Sequence, residues 1–228
     1  MTLPLPLRNR LADLILESLH DAGARKGLEA LAAVCARPAA LAGALWPDAF
    51  PADLFEYGPD GLRVKSGWRQ YEAELAERAV RARRALEGRP FDAPDAPLDA
   101  ALPAAAVLFD AGLYFETHEA LEPYWMRAEG GGREALQGLI QVAVGFQHLA
   151  NGNLGGARAL LHDGCAKILG KRLEGLDLDP FARAVQRCLD QALGLGAEAG
   201  ARFDWTAVPR FPRRACPYPG PLPRGERK

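Results

Sequence analysis

Between Glu134 and Ala150 the chain leaves almost no face of a helix for water. Leu136, Leu139, Ile140, Val142, Ala143, Val144, Phe146 and Leu149 spread around its circumference. A helix of that kind has to be wrapped by others, so this stretch predicts the centre of a helical bundle and an all-α fold class. The polar exceptions follow a stripe: Gln137, Gln141 and His148, with the small Gly145 between the last two, recur at steps of four, four and three. Buried amides and imidazoles need partners, because each one left unpaired costs about 1–3 kcal/mol.

The preceding stretch, Leu113 to Trp125, holds the densest mixture of polar and aromatic groups in the chain. In a helix His118 and Glu122 lie one turn apart, Glu119 neighbours Glu122, and Phe115, Leu121 and Trp125 flank them. Pro123 is expected to end or kink that helix. The two stretches together predict one polar cluster between central helices, with Phe115, Glu116, His118, Glu119, Glu122, Trp125, Gln137, Gln141 and His148 as candidate binding residues. Its chemistry fits three readings: a structural hydrogen-bond network, a ligand or acid/base pocket, and a metal site using His118, Glu119, Glu122 and His148. The spacing lacks the His-Glu-x-x-His run of a zinc hydrolase and the paired Glu-x-x-His units of a di-iron bundle. No nucleophile elbow, phosphate loop or dinucleotide fingerprint occurs, and no cofactor is readable from the residues. The Gly130-Gly-Gly132 run is expected to be a flexible loop before the apolar helix.

Around this centre, proline and glycine divide the chain into 1–90, a linker at 91–103, a bundle at 104–205, and a tail at 206–228. Leu11, Leu14, Ile15, Leu19 and then Leu28, Leu31, Ala32, Cys35 predict two amphipathic helices. Leu54–Lys65, with Gly58-Pro-Asp-Gly61 at its centre, predicts a small hairpin, expected to be the only sheet. Ser66–Gly88 reads as a charged helix with Ser66 as its cap. The tail from Pro209 has six prolines and six basic residues against one acidic residue, and is expected to fray. Four isolated cysteines without a Cys-x-x-Cys pair argue for free thiols and a cytoplasmic location. No apolar run approaches a membrane span.

A shift of forty residues aligns Leu108-Phe-Asp-Ala-Gly112-Leu-Tyr114 with His148-Leu-Ala-Asn-Gly152-Asn-Leu154. Both copies read as helix, tight glycine turn, helix, the grammar of helix-turn-helix repeats.

These blocks in order, Leu108 to Glu119 continuing to Trp125, then Leu136-Gln-Gly-Leu-Ile-Gln-Val-Ala143 and His148-Leu-Ala-Asn-Gly-Asn-Leu-Gly-Gly-Ala-Arg158, resemble the bacterial and archaeal family known as domain of unknown function 309. The likeness covers about Ala104 to Leu173. It implies a compact all-helical domain and carries over no catalytic residues. The family pattern includes positions matching Phe115, Glu116, His118, Glu119, Trp125, Gln137, Gln141, His148, Gly152 and Asn153. Thr117 stands where a small residue is usual and Pro123 where a helix former is expected.

The function expected from these observations is a ligand- or protein-binding module. An acid/base or metal-assisted hydrolytic enzyme using Glu119 or Glu122 with His118 is the alternative. In element order the N-terminal half resembles winged helix-turn-helix DNA-binding domains, and Arg63 to Arg89 carries eight basic residues against four acidic ones. Nucleic acid is nevertheless disfavoured as a partner. The whole chain has a formal charge of -1, and the would-be recognition helix, Arg37 to Leu45, holds almost no groups that read base edges.

Overall fold

A computed structural model describes residues 3–36, 48–58 and 61–214. The fold is all-α with two small antiparallel hairpins. Helices α1 (Leu5–Glu17) and α2 (Ala22–Ala36) are joined by a turn in which Asp21 accepts a hydrogen bond from the Ala24 amide at 2.7 Å. Strands β1 (Phe55–Gly58) and β2 (Gly61–Val64) form the expected hairpin, pairing Phe55 with Val64. Ser66 opens a 3-10 turn, Ser66–Tyr71, and the α-helix α3 (Glu72–Leu86) begins six residues later than expected, without a side-chain cap. The would-be recognition helix at 37–45 lies outside the described residues.

The expected linker is helical from Leu98: α4 spans Leu98–Asp110 with Pro103 inside it, and only 89–97 runs extended or in turns. That strap is itself held down. The Asp92 amide donates to the Leu19 carbonyl at 2.9 Å, and Tyr124 Oη donates to the Ala96 carbonyl at 2.9 Å. Two apolar clusters meet at α4. Leu102, Ala105, Ala106 and Phe109 belong to the C-terminal core, whereas Ala104 and Leu108 belong to the N-terminal one.

From α4 the chain runs through α5 (Tyr114–Arg127), α6 (Gly130–Ala150) and α7 (Leu154–Ile168). Gly112 and Gly152 close the two tight turns at φ of +71° and +74°, in the left-handed region that glycine enters without a steric penalty. The turns bond alike. Leu113 donates to Leu108 and Asn153 to His148, each at 2.9 Å, as in a Schellman C-cap. Helix α5 continues past Pro123, and the three glycines expected as a loop form the first turn of α6. Helix α6 lies at the centre, with nine of its residues buried, and it packs most extensively on α7.

A second hairpin, β3 (Arg172–Leu173) and β4 (Leu176–Asp177), corrects the expectation of a single sheet. Its loop residues Glu174 and Gly175 both have positive φ, 48° and 81°, as a two-residue turn that matches strand twist requires. Helix α8 (Asp179–Leu195) and the short α9 (Ala199–Arg202) complete the bundle. The start of the tail is packed rather than frayed. Phe211 is 1% exposed, lies 5.2 Å from the Phe109 ring and 5.7 Å from that of Phe181, and its amide donates to Asp110 Oδ1 at 2.8 Å. Arg213 reaches the other oxygen of Asp110 at 3.1 Å, and Arg214 donates to the Glu174 carbonyl at 2.9 Å. One aromatic side chain in a buried slot, together with these bonds, outweighs the proline-rich, charged composition. Among the described residues no helix is long and apolar enough to cross a membrane.

Candidate functional site

The single convergence expected from the sequence divides into separate groups. Glu116 is fully buried on α5, and neither carboxylate oxygen accepts a hydrogen bond from a side chain or a neighbouring amide. The nearest cation is Arg78 of α3, whose Nη1 lies 4.0 Å from Oε1. Arg78 is 6% exposed and ties three elements together: Nη2 donates to Gln147 Oε1 of α6 at 3.1 Å, and Nε lies 3.7 Å from Glu74 of its own helix. Burial raises the Glu116 carboxyl above its ordinary value of 4.5, and the attraction of Arg78 and the residue's own backbone amide offset only part of that effect.

Above this pair opens a cleft of about 570 Å³ between α3, the α4–α5 turn, the end of α6 and the segment after α9. Arg78 and Arg81 supply donors; Glu74, Glu77 and Asp110 supply acceptors; Gln147 and Asn151 supply both. Tyr114 and the 38%-exposed ring of Trp205, 6.4 Å apart, form an aromatic wall. Arg81 is paired with Glu77 and donates to the Gly112 carbonyl at 3.4 Å. Burial raises the Tyr114 hydroxyl well above the usual phenol range, so it stays a neutral donor at physiological pH.

The second group is His118, Glu119 and Glu122, half-buried on another face of α5. His118 Nδ1 lies 3.2 Å from Glu119 Oε1 and Nε2 lies 3.8 Å from Glu122 Oε2. Phe115 sets its ring edge-on to His118 at 6.1 Å and carries the Arg8 guanidinium 3.9 Å from its centroid.

His148 joins neither group. Its Nδ1 meets Asn153 Nδ2 at 2.9 Å, inside the turn where Asn153 Oδ1 caps α7 by accepting from the Gly156 amide. A Cβ at Gly156 would come within 2.5 Å of His148 Nδ1, so glycine is what leaves room for that ring. Trp125 packs under the Arg133 guanidinium at 4.5 Å, while Arg133 donates to the Trp125 carbonyl at 2.9 Å and closes the end of α5. Gln141 Oε1 and Trp125 Nε1 are buried without hydrogen-bond partners among the described residues, and Gln137, half-buried, bonds to none of the expected partners.

Arg78, Arg81, Tyr114, Gln147, Asn151 and Trp205 were not among the candidates from sequence. Gln147 carries a legible signal as a further polar residue in the apolar helix. Arg78 carries none, since Glu74 and Arg78 at i,i+4 read as an exposed surface pair. Several of the basic residues of 63–89 are paired: Arg63 and Arg69 face Glu56, Arg81 faces Glu77, and Arg89 faces Asp92.

Residues 102–160 match the family model described as Domain of unknown function (DUF309), in agreement with the resemblance of the sequence blocks. No curated protein and no solved structure matches the chain. The matched segment contains Glu116 and Gln147, whereas Arg78, which joins them, comes from outside it.

Proposed function

We propose that the chain is a binding module that takes a small polar ligand in the cleft floored by Arg78. The observation that carries this reading is the cleft itself, in which α3 of the N-terminal half and α5 and α6 of the matched segment contribute donors, acceptors and an aromatic wall to one concave volume. The lining is near charge balance, because Arg78 and Arg81 already face Glu74, Glu116 and Glu77. It therefore suits a neutral or zwitterionic molecule with several hydrogen-bonding groups better than a polyanion. The similar bonding of the Gly112 and Gly152 turns supports reading residues 98–168 as two copies of one helix pair, with the cleft where the first turn meets the N-terminal half. Free thiols at Cys35, Cys165 and Cys188 support a reducing, cytoplasmic location.

The test is a thermal-shift screen of the full chain against amino acids, nucleosides and monosaccharides. A binder raises the unfolding midpoint. Arg81→Ala removes one lining donor from a half-exposed position, so the ligand-free midpoint should move little while the ligand-induced rise disappears. A screen without any rise, or a rise that survives Arg81→Ala, would refute the assignment.

A further inference from the structure

Arg78 borders the cleft with most of its hydrogen-bonding capacity unspent. A guanidinium carries five N–H donors. Among the described residues that of Arg78 makes one hydrogen bond, from Nη2 to Gln147 Oε1 at 3.1 Å. The carboxylates it faces stand farther off, Glu74 Oε1 at 3.7 Å from Nε and Glu116 Oε1 at 4.0 Å from Nη1, beyond hydrogen-bond reach. Its side chain is 7% exposed, so water supplies few of the missing partners, and buried donors left unpaired are costly. Asn151 repeats the pattern. Its Oδ1 accepts from Gln147 Nε2 at 3.2 Å, whereas its own N–H groups donate to no described residue. The acceptors sort in the same way: Glu77 is paired with Arg81, and Asp110 is occupied by the Phe211 amide and by Arg213. Among the described residues, Glu74 is the lining carboxylate that accepts no hydrogen bond. One cleft thus holds an unspent guanidinium and an unspent carboxylate 3.7 Å apart, together with the aromatic wall of Tyr114 and Trp205.

We infer that the ligand of this cleft is a free amino acid with an apolar or aromatic side chain, an inference that rests on reading the cleft as a binding site. Its carboxylate takes the open N–H groups of Arg78, whose planar fork a carboxylate matches, and the amide of Asn151. Its ammonium group donates to Glu74. The two charged groups of such a molecule are joined through one carbon, which suits poles this close together. Its side chain packs on Tyr114 and on the Trp205 ring, which the fold leaves 38% exposed. A dicarboxylate would set a like charge against Glu74, and a sugar would bring Arg78 no anion. The volume of about 570 Å³ lies within the range of about 300–1,000 Å³ that small-molecule sites occupy.

The experiment is calorimetric titration of the full chain at neutral pH with six probes. L-phenylalanine and L-leucine represent the proposed class. L-phenylalaninol lacks the carboxylate, phenylpropanoate lacks the ammonium group, and adenosine and glucose represent other polar molecules. The expected result is one amino acid bound per chain, with phenylalaninol and phenylpropanoate each about 10–100-fold weaker than L-phenylalanine, because each has lost one charge-assisted contact. Glu74→Gln should weaken L-phenylalanine about 10-fold or more and leave phenylpropanoate unchanged. The comparison of probes needs no variant, so it decides even where Glu74→Gln fails to fold. Binding of adenosine or glucose with neither amino acid would overturn the ligand class while the cleft stands as a binding site; silence of all six would overturn both. Phenylalaninol bound as tightly as L-phenylalanine would overturn the role given to Arg78. Phenylpropanoate bound as tightly, or an equal loss of both ligands in Glu74→Gln, would overturn the place given to the ammonium group.

Discussion

Glu116 occupies a position where a carboxyl group is expensive to ionise. It has no contact with water, no hydrogen bond from another residue at either oxygen, and one guanidinium at 4.0 Å. Its carboxyl holds a proton more tightly in the folded chain than in the unfolded one, where the ordinary value of 4.5 applies. The folded state therefore binds more protons, and this contribution to stability is complete below pH 4.5 and is lost as pH rises through the folded value. Glu116→Gln, which never ionises, should flatten the fall in stability between pH 4.5 and neutrality. Urea denaturation midpoints of both proteins across that range check this, and parallel curves would show that Glu116 is not the group involved. The residues of this site were only half legible. Glu116 and its neighbours stand out because polar groups are rare in apolar helices, but the residue that answers them is remote in sequence. His148 misled for a related reason: its position on the apolar stripe is real, but it lies in the last turn of α6, where a local bond to Asn153 satisfies it.

Helices α6 and α7 cross so closely that their backbones touch. A Cβ on Gly138 would fall 2.5 Å from Ile168 Cγ2 and 2.9 Å from the Gly164 carbonyl oxygen, and one on Gly164 would fall 2.8 Å from the Gly138 carbonyl oxygen. Gly138→Ala should therefore force the pair apart and cost about 1–3 kcal/mol or more. Gly152→Ala is the useful contrast. Nothing lies within 4 Å of its added methyl, so its cost is the left-handed backbone alone, about 1–2 kcal/mol. Chemical denaturation distinguishes the two. Gly138→Ala should also weaken the amide protection of α7 by more than Gly152→Ala does, beyond what the loss of global stability accounts for; equal protection in both variants would refute the close crossing. The turn glycines were visible in sequence because glycine ends each helical run at the same offset. The glycines of the crossing were not, because what they make room for lies on another helix. The β3–β4 hairpin escaped notice because two-residue strands carry no periodicity, although Glu174-Gly175 holds a turn signal.

In the molecule as a whole, the proline-rich segment expected from composition as a linker is bonded and packed on both sides. Helix α4 serves both cores, the strap at 89–97 is bonded to Leu19 and Tyr124, and Phe211 returns to the core beside α4. Composition reports which residues prefer water; it does not report that one buried ring and a shared carboxylate pin a charged segment down, as Phe211 and Asp110 do. The two halves are joined at Arg78, and the cleft exists because they are. A double-mutant cycle on Arg78→Met and Glu116→Gln, read by urea denaturation of the full chain, tests that junction. The expected result is one cooperative transition and a coupling energy of about 1–3 kcal/mol between the two positions. Additivity within about 0.5 kcal/mol would contradict it, and would mean that α3 and the matched segment meet without sharing a site.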